Sequence, residues 1–210
     1  MDGSTWELIT RNLWPMLVAT LTQTIPMTAI SFVVGLVIAL FVALARAYIS
    51  VIRGTPLLVQ LFIVFYALPQ LNVVIDPFPA AVIAFSLNVG GYAAEVIRAA
   101  ILSIPRGQWE AAQTIGMNYA TTLRRVILPQ AARTAVPPLS NTLISLVKDT
   151  SLASTILVTE LLRVAQLAAA PTFDFFALYG VAALYYWVIC VILSFFQGRL
   201  ETRLGRYVLR

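Results

Sequence analysis

A run of 22 residues, 175–196, contains no charged side chain. An apolar stretch of about 20 residues is long enough to cross the hydrocarbon core of a bilayer as an α-helix. Inside hydrocarbon every backbone N–H and C=O must find a partner within the protein, and a helix achieves this within one segment. The run therefore predicts a membrane-spanning helix and places the chain among integral membrane proteins.

Four more apolar segments precede this run, and the composition leaves little room for a soluble domain. Of the 210 residues, 60% are apolar and 11% are charged, whereas about 25% of a soluble domain is charged. We predict an all-α, polytopic protein with one transmembrane domain over residues 1–210. Its five spans are expected at approximately 17–45, 50–69, 80–102, 134–152 and 174–197.

The basic residues indicate which side of the membrane each loop faces. If five spans alternate, most Lys and Arg residues fall on one side: Arg46, Arg53, Arg98, Arg106, Arg124, Arg125, Arg133, Arg199, Arg203, Arg206 and Arg210. Cytoplasmic loops carry the excess of basic residues in membrane proteins. We therefore expect the N-terminus outside the cytoplasm and the C-terminus inside it. Topology accounts for the net charge of +5, so no nucleic-acid-binding surface is expected.

The chain lacks the residues that most enzymes and metal sites use. It has no histidine, and its one cysteine, Cys190, lies in the fifth apolar segment. It has no G-x-x-x-x-G-K-[ST] motif for phosphate binding, because its only lysine, Lys148, is followed by Asp149. We therefore expect no enzymatic activity, no bound metal and no cofactor in this chain.

The segment 105–129, between the third and fourth spans, is too polar to cross a membrane. Its apolar residues recur at helical spacing: Trp109, Ala112, Ile115, Tyr119 and Leu123. Gly116 interrupts the pattern where a left-handed residue would end one helix and let a second begin. Two short cytoplasmic helices are predicted. They could rest on the bilayer surface or dock into a groove on a cytoplasmic partner.

One motif in this segment resembles a family signature. Glu110-Ala111-Ala112, followed by Gly116 and by Leu128-Pro129, resembles the EAA motif of bacterial ABC importer permeases. Val126 stands where that family usually has isoleucine. The resemblance implies a type I importer permease in the bacterial plasma (inner) membrane. The residues that it implies for coupling to an ATPase are Trp109, Glu110, Ala111, Ala112, Gly116 and Tyr119.

The same resemblance implies the partners. Two copies of an ABC ATPase would bind ATP and Mg²⁺ and drive alternating access. An extracytoplasmic solute-binding protein would deliver the solute, and a second permease copy would complete a dimer, expected to be a homodimer. The alternatives are an ATP-independent secondary amino-acid transporter, a membrane enzyme and a scaffold without a pathway. A secondary transporter would not need docking helices. A membrane enzyme would need catalytic groups that this chain lacks.

Two further runs resemble the polar amino-acid branch of this family. They are Arg53-Gly54-Thr55-Pro56, at the start of the second span, and 146–152, near the end of the fourth. The link between the first span and Arg53 is shorter than in most relatives. The runs 137–153 and 68–77 look especially like L-cystine permeases. Cystine is therefore the expected solute, with a basic or acidic amino acid as the alternative.

Polar residues at membrane depth are candidates for the solute pathway, because such groups are costly in lipid. The candidates are Asp149, Lys148, Ser151, Asn88, Gln60 and Tyr66. Asp149 is expected to bind the ammonium group of an amino acid, or else to pair with Lys148 and fix a helix end. Asn88, beside Gly90-Gly91, could instead join neighbouring helices. Glu95 with Arg98, and Glu160 with Arg163, are expected to form ion pairs.

Overall fold

The computed structural model describes residues 3–42 and 46–205, and this part of the chain is helical with no β-strand. The ten α-helices in these ranges are α1 (Gly3–Ala19), α2 (Ile25–Val42), α3 (Arg46–Gly54), α4 (Leu57–Phe62), α5 (Pro77–Leu102), α6 (Arg106–Thr114), α7 (Tyr119–Thr122), α8 (Leu128–Asp149), α9 (Leu161–Ala169) and α10 (Phe175–Gly205). Short π-helical turns join α1 to α2 and α7 to α8. A 3₁₀ segment, Thr150–Ile156, extends α8.

Within residues 3–42 and 46–205, three helices are long and apolar enough to cross a membrane: Thr5–Ile38, Pro77–Leu102 and Phe175–Leu204. Two pairs of bent helices raise the number of candidate spans to as many as five, if each pair forms one span. Arg46–Gly54 meets Leu57–Leu71 at 103°, and Tyr119–Ile156 meets Leu161–Ala169 at 49°. The all-α, polytopic prediction is confirmed. The third and fifth predicted spans correspond to α5 and α10.

The second predicted span, 50–69, is not one continuous helix. The chain turns sharply at Thr55-Pro56, where Pro56 is extended with a ψ of 138°. The residue before a proline disfavours the helical conformation, so α3 ends ahead of it. Proline then suits the start of α4, where its missing N–H leaves no intrahelical bond unmade.

The observed bounds of the first and fourth helical segments also differ from the predicted spans. The first helical segment begins at Gly3, well before residue 17, and its predicted end at 43–45 lies outside the described residues. The fourth runs continuously from Tyr119 to Ile156, so the second helix predicted within 105–129 leads directly into it. Arg206 and Arg210 also lie outside the described residues.

The main apolar core surrounds α5. Phe85 is fully buried there, together with Met27 from α2, Leu61 from α4 and Ile156 from the end of the fourth span. A second buried cluster joins α1, α9 and α10, and a third joins the C-terminal end of α5 to α6 and α8. The α5 helix thus packs against α2, α3, α4 and α8.

Glycine lets α3 approach α5 closely, as the Gly90-Gly91 pair predicts. A Cβ atom placed on Gly91 would lie 2.6 Å from Cγ2 of Ile52. We expect Gly91→Ala to lower the free energy of unfolding by about 1–3 kcal/mol, because Ile52 must move. Thermal unfolding in detergent measures this change. Gly180→Ala is the control, since nothing lies within 4 Å of a Cβ at Gly180; equal effects of the two substitutions would contradict the prediction.

Candidate functional site

A cavity of about 590 Å³ lies between the α3–α4 turn, α5 and α8. Its lining includes charged, amide and hydroxyl side chains as well as apolar ones. The residues around it are Arg53, Gly54, Thr55, Pro56, Leu57, Asn88, Val89, Tyr92, Asn141, Thr142, Ser145, Leu146 and Asp149. The sharp bend between α3 and α4 at Thr55-Pro56 leaves room for the cavity. Helices α5 and α8 supply most of its polar side chains.

Helical spacing brings the polar residues to the same cavity. Asn141, Ser145 and Asp149 are four residues apart on α8, so they lie one above another on one face. Asn88 and Tyr92 have the same spacing on α5. Of the six predicted pathway residues, the cavity brings together Asp149 and Asn88. It can offer a carboxylate, amides and hydroxyls to a polar solute.

Gln60 lies behind the cavity wall and holds the α3–α4 turn together. It is buried, and its Nε2 atom donates to the carbonyl oxygens of Ile52 (2.8 Å) and Thr55 (3.1 Å). Its Oε1 atom accepts a hydrogen bond of 3.0 Å from Nδ2 of Asn88. The structure therefore places Gln60 outside the lining, and it shows Asn88 joining two helices while also facing the cavity.

Three other predicted pathway residues lie away from this cavity. Lys148 is exposed and does not line the cavity, and it forms no ion pair with Asp149 in the structure. Ser151 Oγ donates to the Lys148 carbonyl oxygen at 2.7 Å, as a side chain near a helix end commonly does. Tyr66 lines a separate groove and donates to the Thr155 carbonyl oxygen at 3.3 Å.

The cavity contains residues that the sequence reasoning missed. Asn141, Thr142 and Ser145 could have been found by stepping back from Asp149 in intervals of about one helical turn. Arg53 and Tyr92 could not, because the sharp turn after α3 brings Arg53 to within 5.7 Å of the Tyr92 ring centre.

Of the two predicted ion pairs, the structure shows the one on α5 and not the one at the start of α9. Arg98 Nε lies 3.0 Å from Oε2 of Glu95, which confirms that pair. Glu160 does not pair with the Arg163 guanidinium. Its buried carboxylate instead accepts from the main-chain N–H groups of Leu162 and Arg163 and from the Tyr186 hydroxyl. Glu160 caps α9 because the preceding break leaves those N–H groups without helical partners.

The segment 105–129 folds as two helices separated by a tight turn. Gly116 has a φ of +78°, the left-handed conformation that favours glycine. The Met117 N–H donates to the Ala112 carbonyl, and the Gly116 N–H donates to the Gln113 carbonyl. These two bonds form a Schellman cap. The Asn118 side chain then accepts from the Thr121 N–H at 2.9 Å and starts the next helix.

The apolar stripe of this segment is only partly used within the chain. Ala112 is buried, and Trp109 packs on the cluster around Ile127. Ala112 therefore holds α6 in place and does not face outwards. Ile115 is 75% exposed and Tyr119 is 70% exposed, although the Tyr119 ring stacks on Trp109 with centroids 5.7 Å apart.

Glu110 and Ala111 are exposed on the other side of α6. The segment therefore presents Glu110, Ala111, Ile115 and Tyr119 on an ordered, capped helical pair. This arrangement offers a surface with both apolar and charged groups that no part of the described chain covers.

The comparisons with known proteins agree with one another. The family described as "Binding-protein-dependent transport system inner membrane component" matches residues 43–206. The L-cystine transport system permease protein TcyB of Bacillus subtilis (strain 168) is 56% identical, over 97% of this chain and 92% of that protein. The glutamine transport system permease protein GlnP of Escherichia coli (strain K12) is 39% identical, over 90% of this chain and 93% of that protein.

Solved structures match at the level of the fold. The crystal structure of an amino acid ABC transporter with histidines superposes with a TM-score of 0.90 and 33% sequence identity, covering 97% of this chain and 100% of that one. The MetNI methionine ABC transporter, in an inward-facing conformation, gives a TM-score of 0.69 at 20% identity, covering 97% and 99% of the two chains. On the family match and these identities, the chain belongs to the family of inner membrane components of binding-protein-dependent transport systems.

Proposed function

We propose that this chain is the permease subunit of an ATP-driven importer of amino acids, and that L-cystine is its solute. The 56% identity to TcyB extends over nearly the whole of both chains and supports this solute. Within the fold, the observation that carries the proposal is the capped, exposed α6 helix at 106–114. A permease driven by a separate motor needs an ordered surface for that motor, and an ATP-independent transporter does not.

The membrane arrangement that we propose has five spans in a single domain over residues 1–210. Each bent helix pair forms one span, with the N-terminus outside the cytoplasm and segment 105–129 inside it. The concentration of arginines near 106–133 and 199–210 supports this orientation. Apolar side chains exposed along α2 and α10 support contact with lipid.

The partners follow from the same proposal. Glu110, Ala111, Ile115 and Tyr119 form the surface that docks on an ABC ATPase, with one ATPase for each permease copy in a homodimer. The ATPase binds ATP and Mg²⁺, since this chain has no phosphate-binding motif. Gly116 keeps the two docking helices at a fixed angle, and Trp109 and Ala112 transmit their position to the base of α8. An extracytoplasmic binding protein supplies the solute.

The cavity on α5 and α8 is the proposed solute site. Asp149 is partly buried on its wall, and its carboxylate accepts no hydrogen bond that the structure describes. A carboxylate in that position can accept from the ammonium group of an amino acid. Asn88, Asn141 and Ser145 can bond the remaining polar groups. A volume of about 590 Å³ lies within the range of about 300–1,000 Å³ typical of small-molecule sites.

Reconstituted uptake tests the proposal. The permease is placed in proteoliposomes with its ATPase and binding protein, and uptake of labelled cystine, glutamine, arginine and glutamate is measured with and without ATP. We expect cystine uptake that requires ATP and the binding protein. Equal uptake without ATP would favour a secondary transporter, and preference for another amino acid would overturn the choice of cystine.

A further inference from the structure

The C-terminal part of α10 carries an open groove that shares no residue with the cavity between α3, α5 and α8. Its volume is about 590 Å³, and six exposed residues line it: Ser194, Phe195, Gly198, Arg199, Thr202 and Arg203. They follow one another by alternating steps of one and three residues, so successive pairs lie one helical turn apart on the same side of α10. We refer to these six residues as the arginine groove.

The two guanidinium groups of the groove carry positive charge that the described part of the chain does not neutralise. Arg199 and Arg203 are exposed, and neither forms an ion pair within residues 3–42 and 46–205. Glu201 is the carboxylate nearest to them along the chain, but it does not line the groove, and it accepts a hydrogen bond of 2.8 Å from Gln197. The groove therefore offers two cations to an anion and no carboxylate that would repel it.

Phe195 orients one of these two cations. The guanidinium carbon of Arg199 lies 4.3 Å from the centre of the Phe195 ring, within the range of a cation–π interaction. Side chains of a helix lean towards its N-terminus, so Arg199 reaches back towards the apolar part of α10. The Thr202 hydroxyl already donates to the Gly198 carbonyl oxygen at 2.8 Å. The guanidinium groups are therefore the donors that this end of the groove offers to a ligand.

The arginine groove continues an exposed apolar surface of α10. Leu184, Val188, Val191 and Phe195 are all exposed, and they follow one another by steps of four, three and four residues along one side of the helix. Phe195 belongs both to this surface and to the groove. A ligand that fits both parts has an apolar region joined to an anionic group, which is the chemistry of a phospholipid.

The position of the arginines along α10 matches the depth of lipid headgroups. The charge-free run 175–196 has 22 residues, which correspond to about 33 Å of helix, close to the hydrocarbon core of about 30 Å. Arg199 follows the end of this run by three residues, or about 4–5 Å. Headgroups occupy about 5–7 Å on each side of the core, so the Arg199 side chain lies in the headgroup layer.

We propose that the arginine groove binds the phosphate group of an anionic phospholipid, whose acyl chains lie along the apolar surface of α10. Arg199 and Arg203 donate to the phosphate oxygens, because a guanidinium group forms paired, charge-assisted hydrogen bonds with phosphate. Gly198 leaves room for the headgroup, since nothing in the described chain lies within 4 Å of a Cβ at this position. The inference requires that α10 crosses the membrane, and it does not rest on the proposed solute.

Native mass spectrometry of the purified full-length permease tests the site. Phosphatidylglycerol should bind about tenfold or more tightly than zwitterionic phosphatidylcholine, because each basic residue near an anionic headgroup adds to the affinity. The double substitution Arg199→Gln with Arg203→Gln should remove this preference. Arg124→Gln with Arg125→Gln is the matched control, since it removes two positive charges from other exposed positions, and it should keep the preference. Equal affinity of the wild type for the two lipids, or equal loss in the two double variants, would overturn the proposal.

A second substitution tests the shape of the groove without changing its charge. Gly198→Leu keeps both arginines and fills the space between the headgroup and the helix, so it should weaken the binding of phosphatidylglycerol. Thermal unfolding in detergent without added lipid should be the same as in the wild type. Phosphatidylglycerol should raise the unfolding temperature of the wild type and not that of the Gly198→Leu variant. Undiminished binding by this variant would show that the lipid does not occupy the groove.

Cross-linking identifies the occupant in a membrane. In a Cys190→Ser background, Thr202→Cys carries a photoactivatable cross-linker, and the protein is reconstituted in vesicles that contain phosphatidylglycerol. The cross-linker should attach to lipid. Attachment to a second copy of this chain, or to another protein subunit, would overturn the proposal. Binding of soluble glycerol 3-phosphate as tight as that of phosphatidylglycerol would also contradict it, because the groove would then recognise a free phosphate ester and not a lipid.

Discussion

Replacing Asp149 with asparagine is expected to lower cystine uptake by between about tenfold and a hundredfold, while the permease still assembles. The substitution keeps the shape of the side chain and removes the charge that attracts the ammonium group. A hydrogen bond to a charged group contributes about 1.5–3 kcal/mol, and each 1.4 kcal/mol is about a factor of ten. Initial rates of uptake in proteoliposomes measure the effect.

Two controls distinguish solute binding from folding. Asp76→Asn makes the same chemical change in an exposed position at the start of α5, and it should leave uptake unchanged. Asp149→Glu keeps the charge and should retain part of the activity. The amount of Asp149→Asn permease that co-purifies with its ATPase should equal that of the wild type. Normal uptake by Asp149→Asn would contradict the proposed solute site.

Reversing the charge of Glu110 is expected to disconnect the permease from its ATPase. Glu110 is exposed on α6, and its carboxylate forms no hydrogen bond or ion pair with the described residues; its main-chain carbonyl accepts from the Thr114 hydroxyl. Glu110→Lys should therefore preserve the fold and place a positive charge in the docking surface. A central contact in an interface contributes about 2 kcal/mol or more, so we expect uptake to fall by at least about tenfold.

The measurement should follow ATP hydrolysis together with uptake. In the wild-type complex, loaded binding protein should stimulate hydrolysis, and Glu110→Lys should abolish this stimulation along with co-purification of the ATPase. Glu7→Lys is the control, because it makes the same charge change at another exposed glutamate near the N-terminus. If Glu110→Lys retains coupled hydrolysis and uptake, Glu110 does not belong to the docking surface.

The sequence predicted the elements that depend on local chemistry. The charge-free run 175–196 appears as α10, and the turn at Gly116 appears with the left-handed φ that glycine permits. The ion pair between Glu95 and Arg98 also follows from helical spacing alone. In each case neighbours along the chain determine the outcome, so a pattern in the sequence is sufficient.

Features that depend on distant parts of the chain were predicted less well. Because of the 103° bend after α3, the Gln60 side chain donates hydrogen bonds to main-chain carbonyl groups of the turn. The position of Gln60 along the second apolar segment does not predict this role. Glu160 was expected to pair with Arg163, but the helix break places its carboxylate against the Tyr186 hydroxyl from α10. Which residues line the cavity likewise depends on how α3, α5 and α8 pack together.

The most direct test of the account concerns the side of the membrane that α6 faces and the protein that covers it. Ala111 is exposed on α6, so Ala111→Cys in a Cys190→Ser background gives a single reporter. An impermeant thiol reagent should label this cysteine in inside-out vesicles and not in right-side-out vesicles, and bound ATPase should protect it. Labelling from the outer side, or no protection by the ATPase, would contradict the assignment of this chain as an ATP-driven importer subunit.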